Sequence, residues 1–391
     1  MSVVKKTLAK KNLKLMYFLT LVLAISTALP TFIQSNFLEG LFGVSSVGLF
    51  FVVANIITFF CILIFPNFIR KVSNIRLAMI VGIISFVSLL GLSFFNNVYL
   101  ILLFFTSVTV ASSLVWINMD LFVESFSNNA ETGKIRTLFF TFANAGWIMA
   151  PVLAGYLSQN GSYSKVYLVA ALAVLPFLAL LFTHRKKLRI KAVYDKVNLV
   201  KAFSFLRHNF NLRGIFVIAL LLQIFYSSAV VFVPLYLHQY LGFGWESLGL
   251  MFSVMLIPFV LLEVPAGILA DKYWGEKEIL SFGLFILILS LALFYITSST
   301  SIFIWTGLLF LSRVGAALVE SMRESYFFKI VDIENLQIIN LFRTTGPLGY
   351  LIGSAIGATI TWFLPLKFVF IFVAVIMLIG FYYIYSIKDT R

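Results

Sequence analysis

Eight ionisable side chains interrupt stretches that are otherwise apolar: Asp120, Glu124, Glu263, Arg313, Glu320, Arg323, Glu324 and Arg343. Charges in such surroundings are costly, and where they occur they face one another or a water-filled cavity. Asp120 and Glu124 are four residues apart, as are Glu320 and Glu324, so each pair shares one helical face. Asp120 and Glu320 lie one turn, about 6 Å, deeper than their partners. A carboxylate at that depth can carry a proton, hold an interior salt bridge or simply pack. Arg343 falls at a depth similar to that of Glu320, and a Glu320–Arg343 pair would keep the acid ionised as a switchable bridge. Arg313, near the middle of its stretch, is placed to bind an anionic substrate group or to pair with Glu263. Gln34, Asn118, Asn144, Trp147, Gln223, Tyr226 and Asn340 are further cavity candidates, the alternative for each being a hydrogen bond between helices. Cys61 is the single cysteine, and His184, His208 and His238 are too scattered for a metal site. With no phosphate-cradling loop and no triad spacing, the expectation is a protein with no cofactor, no metal and no enzymatic activity.

The elements that position these groups are read from composition. Of 391 residues, 61% are hydrophobic and 11% charged, and the mean hydropathy is +1.03. Soluble domains carry about 25% charged residues, so this is an all-α membrane protein. A spanning helix needs roughly 20 apolar residues. Twelve segments qualify, at 14–36, 46–66, 76–95, 98–126, 135–158, 165–183, 213–238, 246–270, 278–297, 300–328, 336–362 and 366–386. With both termini placed inside, the inner segments hold 24 of the 29 Lys and Arg, and the outer loops only Lys165 and Lys367. That asymmetry is the positive-inside pattern. It explains the net charge of +14 by anionic inner-leaflet lipid, with no nucleic acid as partner. The basic stretch Lys5–Lys14 precedes a first helix too long for a signal peptide. Residues 184–212 form a basic linker in which Val197, Val200, Phe203, Leu206 and Phe210 suggest an amphipathic helix on the inner leaflet, the alternative being a disordered tether.

The chain also repeats itself at about 200 residues. Phe42-Gly43-Val44-Ser45-Ser46-Val47-Gly48-Leu49 recurs as Phe243-Gly244-Trp245-Glu246-Ser247-Leu248-Gly249-Leu250, Asp120 and Glu124 recur as Glu320 and Glu324, and Gly146 as Gly346. Between two apolar stretches, the sequence from Glu263 to Lys277 resembles the signature loop of the major facilitator superfamily, G-x-x-x-D-(R/K)-x-G-(R/K)-(R/K). Gly267, Asp271, Lys272, Gly275 and Lys277 match, while Trp274 adds bulk and Glu276 a negative charge. The first-half copy, Pro66 to Arg76, departs further: Pro66, Arg70 and Asn74 replace Gly, Asp and Gly.

This resemblance implies two pseudo-symmetric six-helix bundles, here 1–183 and 213–391, related by an axis along the membrane normal. It also implies that Glu124 and Glu324 hold the cytoplasmic side shut with the signature-loop charges, Glu324 with Lys272 or Lys277 and Asp271 in the same latch. Asn144 to Gly155 resembles the Gly/Pro-rich antiporter element of that family, with Gly346-Pro347-Leu348-Gly349 as its counterpart. Arg313 to Ala317 loosely resembles an Arg-x-x-x-Gly element that the family places in its fourth helix. The reading is a monomeric secondary transporter of the inner membrane, working by alternating access and exporting a small amphipathic compound in exchange for protons. The alternatives are an uptake symporter for a small polar or anionic nutrient and a non-transporting sensor or scaffold.

Overall fold

The computed structural model describes residues 3–126, 132–159, 161–186, 188, 199–331 and 336–388, with side chains at 14–69, 71–123, 138–159, 161–186, 188, 204–331 and 338–388. Among these residues every regular element is a helix. In a bilayer a helix satisfies its backbone within one segment, which explains the absence of any other element here. The first bundle comprises α1 (Lys14–Phe42), α2 (Val44–Lys71), α3 (Asn74–Phe94), α4 (Val98–Phe126), α5 (Thr132–Leu157) and α6 (Tyr163–Thr183). The second comprises α7 (Phe210–Tyr240), α8 (Trp245–Lys272), α9 (Glu276–Ile296), α10 (Ile302–Ile330), α11 (Leu336–Arg343 and Thr345–Phe363) and α12 (Phe368–Ser386).

Eleven of these are long and apolar enough to cross a membrane, α11 being the exception among the described residues. It is broken at Thr344, and its longer piece carries Gly346, Gly349, Gly353 and Gly357. Small residues serve close packing better than they serve lipid contact. Gly349 and Gly353 lie so close to α7 that a Cβ added to the first would overlap the side chain of Gln223, and one added to the second would come within 2.7 Å of that of Ser227.

The helix pairs repeat from one half to the other. α3 packs on α4 and α6, α2 on α4, and α1 on α5 and α6; six helices on, α9 packs on α10 and α12, α8 on α10, and α7 on α11 and α12. The halves meet through α2 with α11 and α5 with α8. These contacts run through glycines: a Cβ on Gly249 would lie 2.6 Å from the Pro151 carbonyl oxygen, and one on Gly48 would lie 2.6 Å from Ala358 Cβ. Both contacts lie away from the end that carries the linker. At the opposite end Gln159 also donates to Glu246, Gln239 to Glu39 at 2.6 Å, and Trp362 to the Ser45 carbonyl at 3.2 Å.

The two copies of the signature loop differ in backbone. In the second, Gly275 has φ +105° and caps α9, a conformation that only glycine adopts without cost. In the first, no residue outside glycine has positive φ, so Asn74 at that place needs no replacement by glycine. Between the halves, a helix covers Leu199–His208 and packs beside Leu336–Arg343. Leu206 packs against the core, so part of the expected lipid-facing stripe turns toward the protein. Asn209 ends this segment, its side chain accepting from the Leu212 amide at 3.1 Å to cap α7. Val197 and the side chains of Val200 and Phe203 lie outside the described residues.

Candidate transport cavity

A cavity of about 670 Å³ lies between the halves, lined by α1, α4, α5, α7, α8, α10 and α11. Four of its helices are irregular beside it. α1 turns at Phe32 and Ile33 after Pro30, α7 is π-helical over Ser228–Phe232 and Tyr236–Tyr240 around Pro234, α8 breaks at Leu256 before Pro258, and α11 breaks at Thr344. Proline removes a backbone donor and forces such adjustments. The lining includes Val123, Phe139, Glu324, Ser325, Phe328 and Arg343, all near the ends of their helices on the linker side. The cavity therefore extends toward the linker end, while the opposite ends of the halves are pressed together.

Its wall is partly aromatic, with Phe32, Trp116, Phe139, Phe140, Trp147 and Phe259. Set into it, among the described residues, are four carboxylates (Asp120, Glu263, Glu320, Glu324) and three guanidinium groups (Arg313, Arg323, Arg343). Glu320 is held on both oxygens. The Tyr226 hydroxyl donates to one at 2.5 Å, and Arg323 donates to the other at 3.4 Å. Arg323, with a side chain 7% exposed, also reaches Glu324 at 3.5 Å. Asp120 of α4 pairs with Arg343 of α11 at 3.2 Å. Among the described residues this is the one salt bridge joining the two halves. Arg313 is 2% exposed and lies over the rings of Phe225 and Tyr226 at 5.5 and 5.9 Å. Such stacking holds a guanidinium in place, but its Nη1 has no hydrogen-bond partner. Glu263 is tied by its backbone, which accepts from the Ser321 hydroxyl at 3.3 Å.

Of the residues singled out in the sequence, the cavity brings together Asp120, Asn144, Trp147, Tyr226, Glu263, Arg313, Glu320, Glu324 and Arg343. The expected Glu320–Arg343 pair is not formed, nor is an Arg313–Glu263 pair. Depth fixes the level of a residue but not its azimuth, and Arg343 points across to α4. Four polar candidates do not line the cavity. Asn118 donates instead to the Asn74 carbonyl at 3.2 Å and joins α3 to α4. Asn340 reaches the Ile62 carbonyl at 3.5 Å, Gln223 backs onto Gly349, and Gln34 begins the helical segment that follows the turn of α1. The side chain of Glu124 lies outside the described residues.

The expected contact of Glu324 with Lys272 or Lys277 is also absent, because the cavity extends to the end where that latch would sit. Lys277 donates to the carbonyls of Tyr385 and Ile387 at 3.2 and 2.8 Å. Lys272 has a partner of its own. The signature-loop charges are instead gathered by Lys329 at the end of α10, which bridges Asp271 at 3.1 Å and Glu276. Glu276, which departs from the family pattern, is 1% exposed and also accepts from Ser325 at 3.1 Å. Sequence reasoning missed Tyr350 and gave Arg323 no role, although Arg323 was visible as a charge within an apolar stretch. Nothing in the sequence marks Tyr350 out from the other aromatic residues.

Comparison with known proteins agrees with this architecture. The profile of the Major Facilitator Superfamily matches residues 15–257 and 246–390, and the chain belongs to that family. The nucleoside transporter NupG, in the form of a point mutant, superposes with a TM-score of 0.78 at 16% identity, over 97% of this chain and 99% of that one. A POT family transporter in complex with 5-aminolevulinic acid gives 0.78 at 12% identity, over 95% of each chain. A bacterial homolog of the human lysosomal transporter Spinster, inward-facing and unoccupied, gives 0.72 at 11% identity, over 97% of this chain and 96% of that one. No curated protein matches the sequence. The chain is thus a multi-span membrane transporter of the major facilitator type.

Proposed function

We propose that the protein is a secondary transporter that exports a small amphipathic compound in exchange for protons, by alternating access between its two bundles. The cavity carries this reading. It lies between the halves, and its aromatic wall suits an apolar body while its charged groups suit a polar one. Glu320, held between the Tyr226 hydroxyl and Arg323, is the group assigned to proton coupling. Protonation would release Arg323, which is then left to Glu324 alone. Asp120 and Arg343 join the halves on the linker side and would part when the cavity opens fully to that side. By the distribution of Lys and Arg, the linker end and both termini are cytoplasmic, in contact with anionic lipid of the inner membrane. The monomer contains the whole cavity and is taken as the working unit.

A second reading, uptake of a small anionic nutrient, draws on one observation, the guanidinium of Arg313 without a hydrogen bond at Nη1. One assay separates the two. Everted vesicles with a respiration-driven proton gradient, reported by a pH-sensitive dye, are challenged with amphipathic amines, zwitterions and acids. A transported compound is expected to discharge the gradient in wild type and not in Glu320→Gln. Survival of the discharge in the mutant would remove Glu320 from the coupling path, and no discharge by any compound would rule out proton-coupled export.

A further inference from the structure

Two ionisable side chains that line the cavity form no salt bridge among the described residues. Arg313 is buried, retains its charge at any physiological pH, and forms no salt bridge among the described residues. Its nearest candidates are otherwise engaged: Glu320 is shared by Tyr226 and Arg323, and it stands two turns further along α10. Glu263 has its backbone carbonyl hydrogen-bonded to Ser321, but no side chain among the described residues bonds its carboxylate. The carboxylate of Glu320 lines the same cavity. Isolated charges away from water are costly unless something pairs with them. The two costs have opposite signs and face one space.

We propose that the ligand of this cavity is a zwitterion: a small molecule with an anionic group for Arg313, a protonated amine for Glu263, and an apolar body between them. The level of Glu263 is fixed by its bond to Ser321, eight residues beyond Arg313 on α10. At 1.5 Å per residue the two levels are about 12 Å apart, and both residues line the cavity. That spacing calls for charges separated by several bonds, not carried on one carbon. An ammonium beside Glu263 would also lie near Glu320 and relieve the repulsion between the two carboxylates. The aromatic wall between the two charged groups, Trp147 and Phe259 among it, accommodates the body. This inference rests on the cavity being the transport site, but it is tested by binding, apart from direction and coupling.

The probes are three compounds with one apolar body: 4-(aminomethyl)phenylacetate, 4-methylbenzylamine and 4-methylphenylacetate. Each is titrated against the purified full-length protein, with thermal unfolding as the readout, since a ligand that binds the folded state raises the unfolding temperature. The zwitterion is expected to bind at least about tenfold more tightly than either singly charged relative, the usual worth of one charge-assisted contact. Arg313→Gln should abolish its advantage over the amine, and Glu263→Gln its advantage over the acid. Arg313→Gln should also raise the unfolding temperature of the unliganded protein, where a structural arginine would lower it. Arg313→Lys, which keeps the charge, should retain part of the preference. Equal binding of the amine or the acid, no shift with any of the three, or a preference unchanged in Arg313→Gln would overturn the proposal. Zwitterion binding without discharge of a proton gradient would leave it standing and remove proton-coupled export, whereas discharge without zwitterion preference would do the reverse.

Discussion

Gly249→Val is expected to reduce transport to background while leaving the protein folded. Gly249 of α8 lies against α5, with the Gly155 Cα 3.3 Å and the Pro151 carbonyl oxygen 2.6 Å from the place its own Cβ would take. A backbone carbonyl cannot swing aside as a side-chain end can. Overpacking costs about 1–3 kcal/mol, which lowers the population closed at this end by roughly 5- to 150-fold. The contacts within each half are untouched, so the cost falls on one conformation and not on the fold. Cysteine labels at this end, in a background lacking Cys61, should react faster in the variant. Gly307→Val serves as the control, because a Cβ there meets nothing within 4 Å and transport should persist. Equal transport by the two variants would mean that closure at this end is not part of the cycle.

The second large effect concerns stability. Lys329→Met leaves Glu276, 1% exposed, buried without its lysine. Removing one partner of a buried pair costs about 3–5 kcal/mol. The expected loss is ~3 kcal/mol, at the low end of that range, because Lys329 is itself 40% exposed and the first turn of α9 favours a carboxylate. Adding Glu276→Gln to the variant should recover most of the loss in thermal unfolding of the purified protein. Asp271, with a side chain 65% exposed, should matter far less to stability, since exposed pairs are worth at most about 1 kcal/mol. If Lys329→Met and Asp271→Asn destabilise equally, the pairing with Glu276 is not what anchors the loop.

The fold was legible because lipid imposes strong rules on sequence. Apolar length and basic loops give the spans, and the repeat of Asp120 and Glu124 as Glu320 and Glu324 marks the pairing of the halves. The exception, α11, is instructive. Its glycines pack on α7, and the same residues that make it a close neighbour make it poorly apolar. The site was legible in kind but less so in partnership. A charge within an apolar stretch announces itself, so most of the ionisable candidates do line the cavity. Which charge meets which depends on the rotation and breaks of each helix, and these follow from packing that no single segment encodes. Hence Arg343 meets Asp120 and not Glu320, and Asn118 and Asn340 spend their amides on neighbouring helices. Glu276 shows the opposite failure. Measured against the family pattern it is a departure, whereas in the structure it is a buried anchor for Lys329.

The most direct test of the account is the distance across each end of the molecule. With Cys61 replaced, spin labels at Lys71→Cys and Tyr273→Cys report the linker end, and labels at Asn96→Cys and Thr300→Cys report the opposite end. All four positions are exposed. In lipid vesicles, changing pH and adding a transported compound should shift the two distance distributions in opposite senses, one end closing as the other opens. Distances that stay fixed at both ends while transport proceeds would contradict alternating access between the bundles.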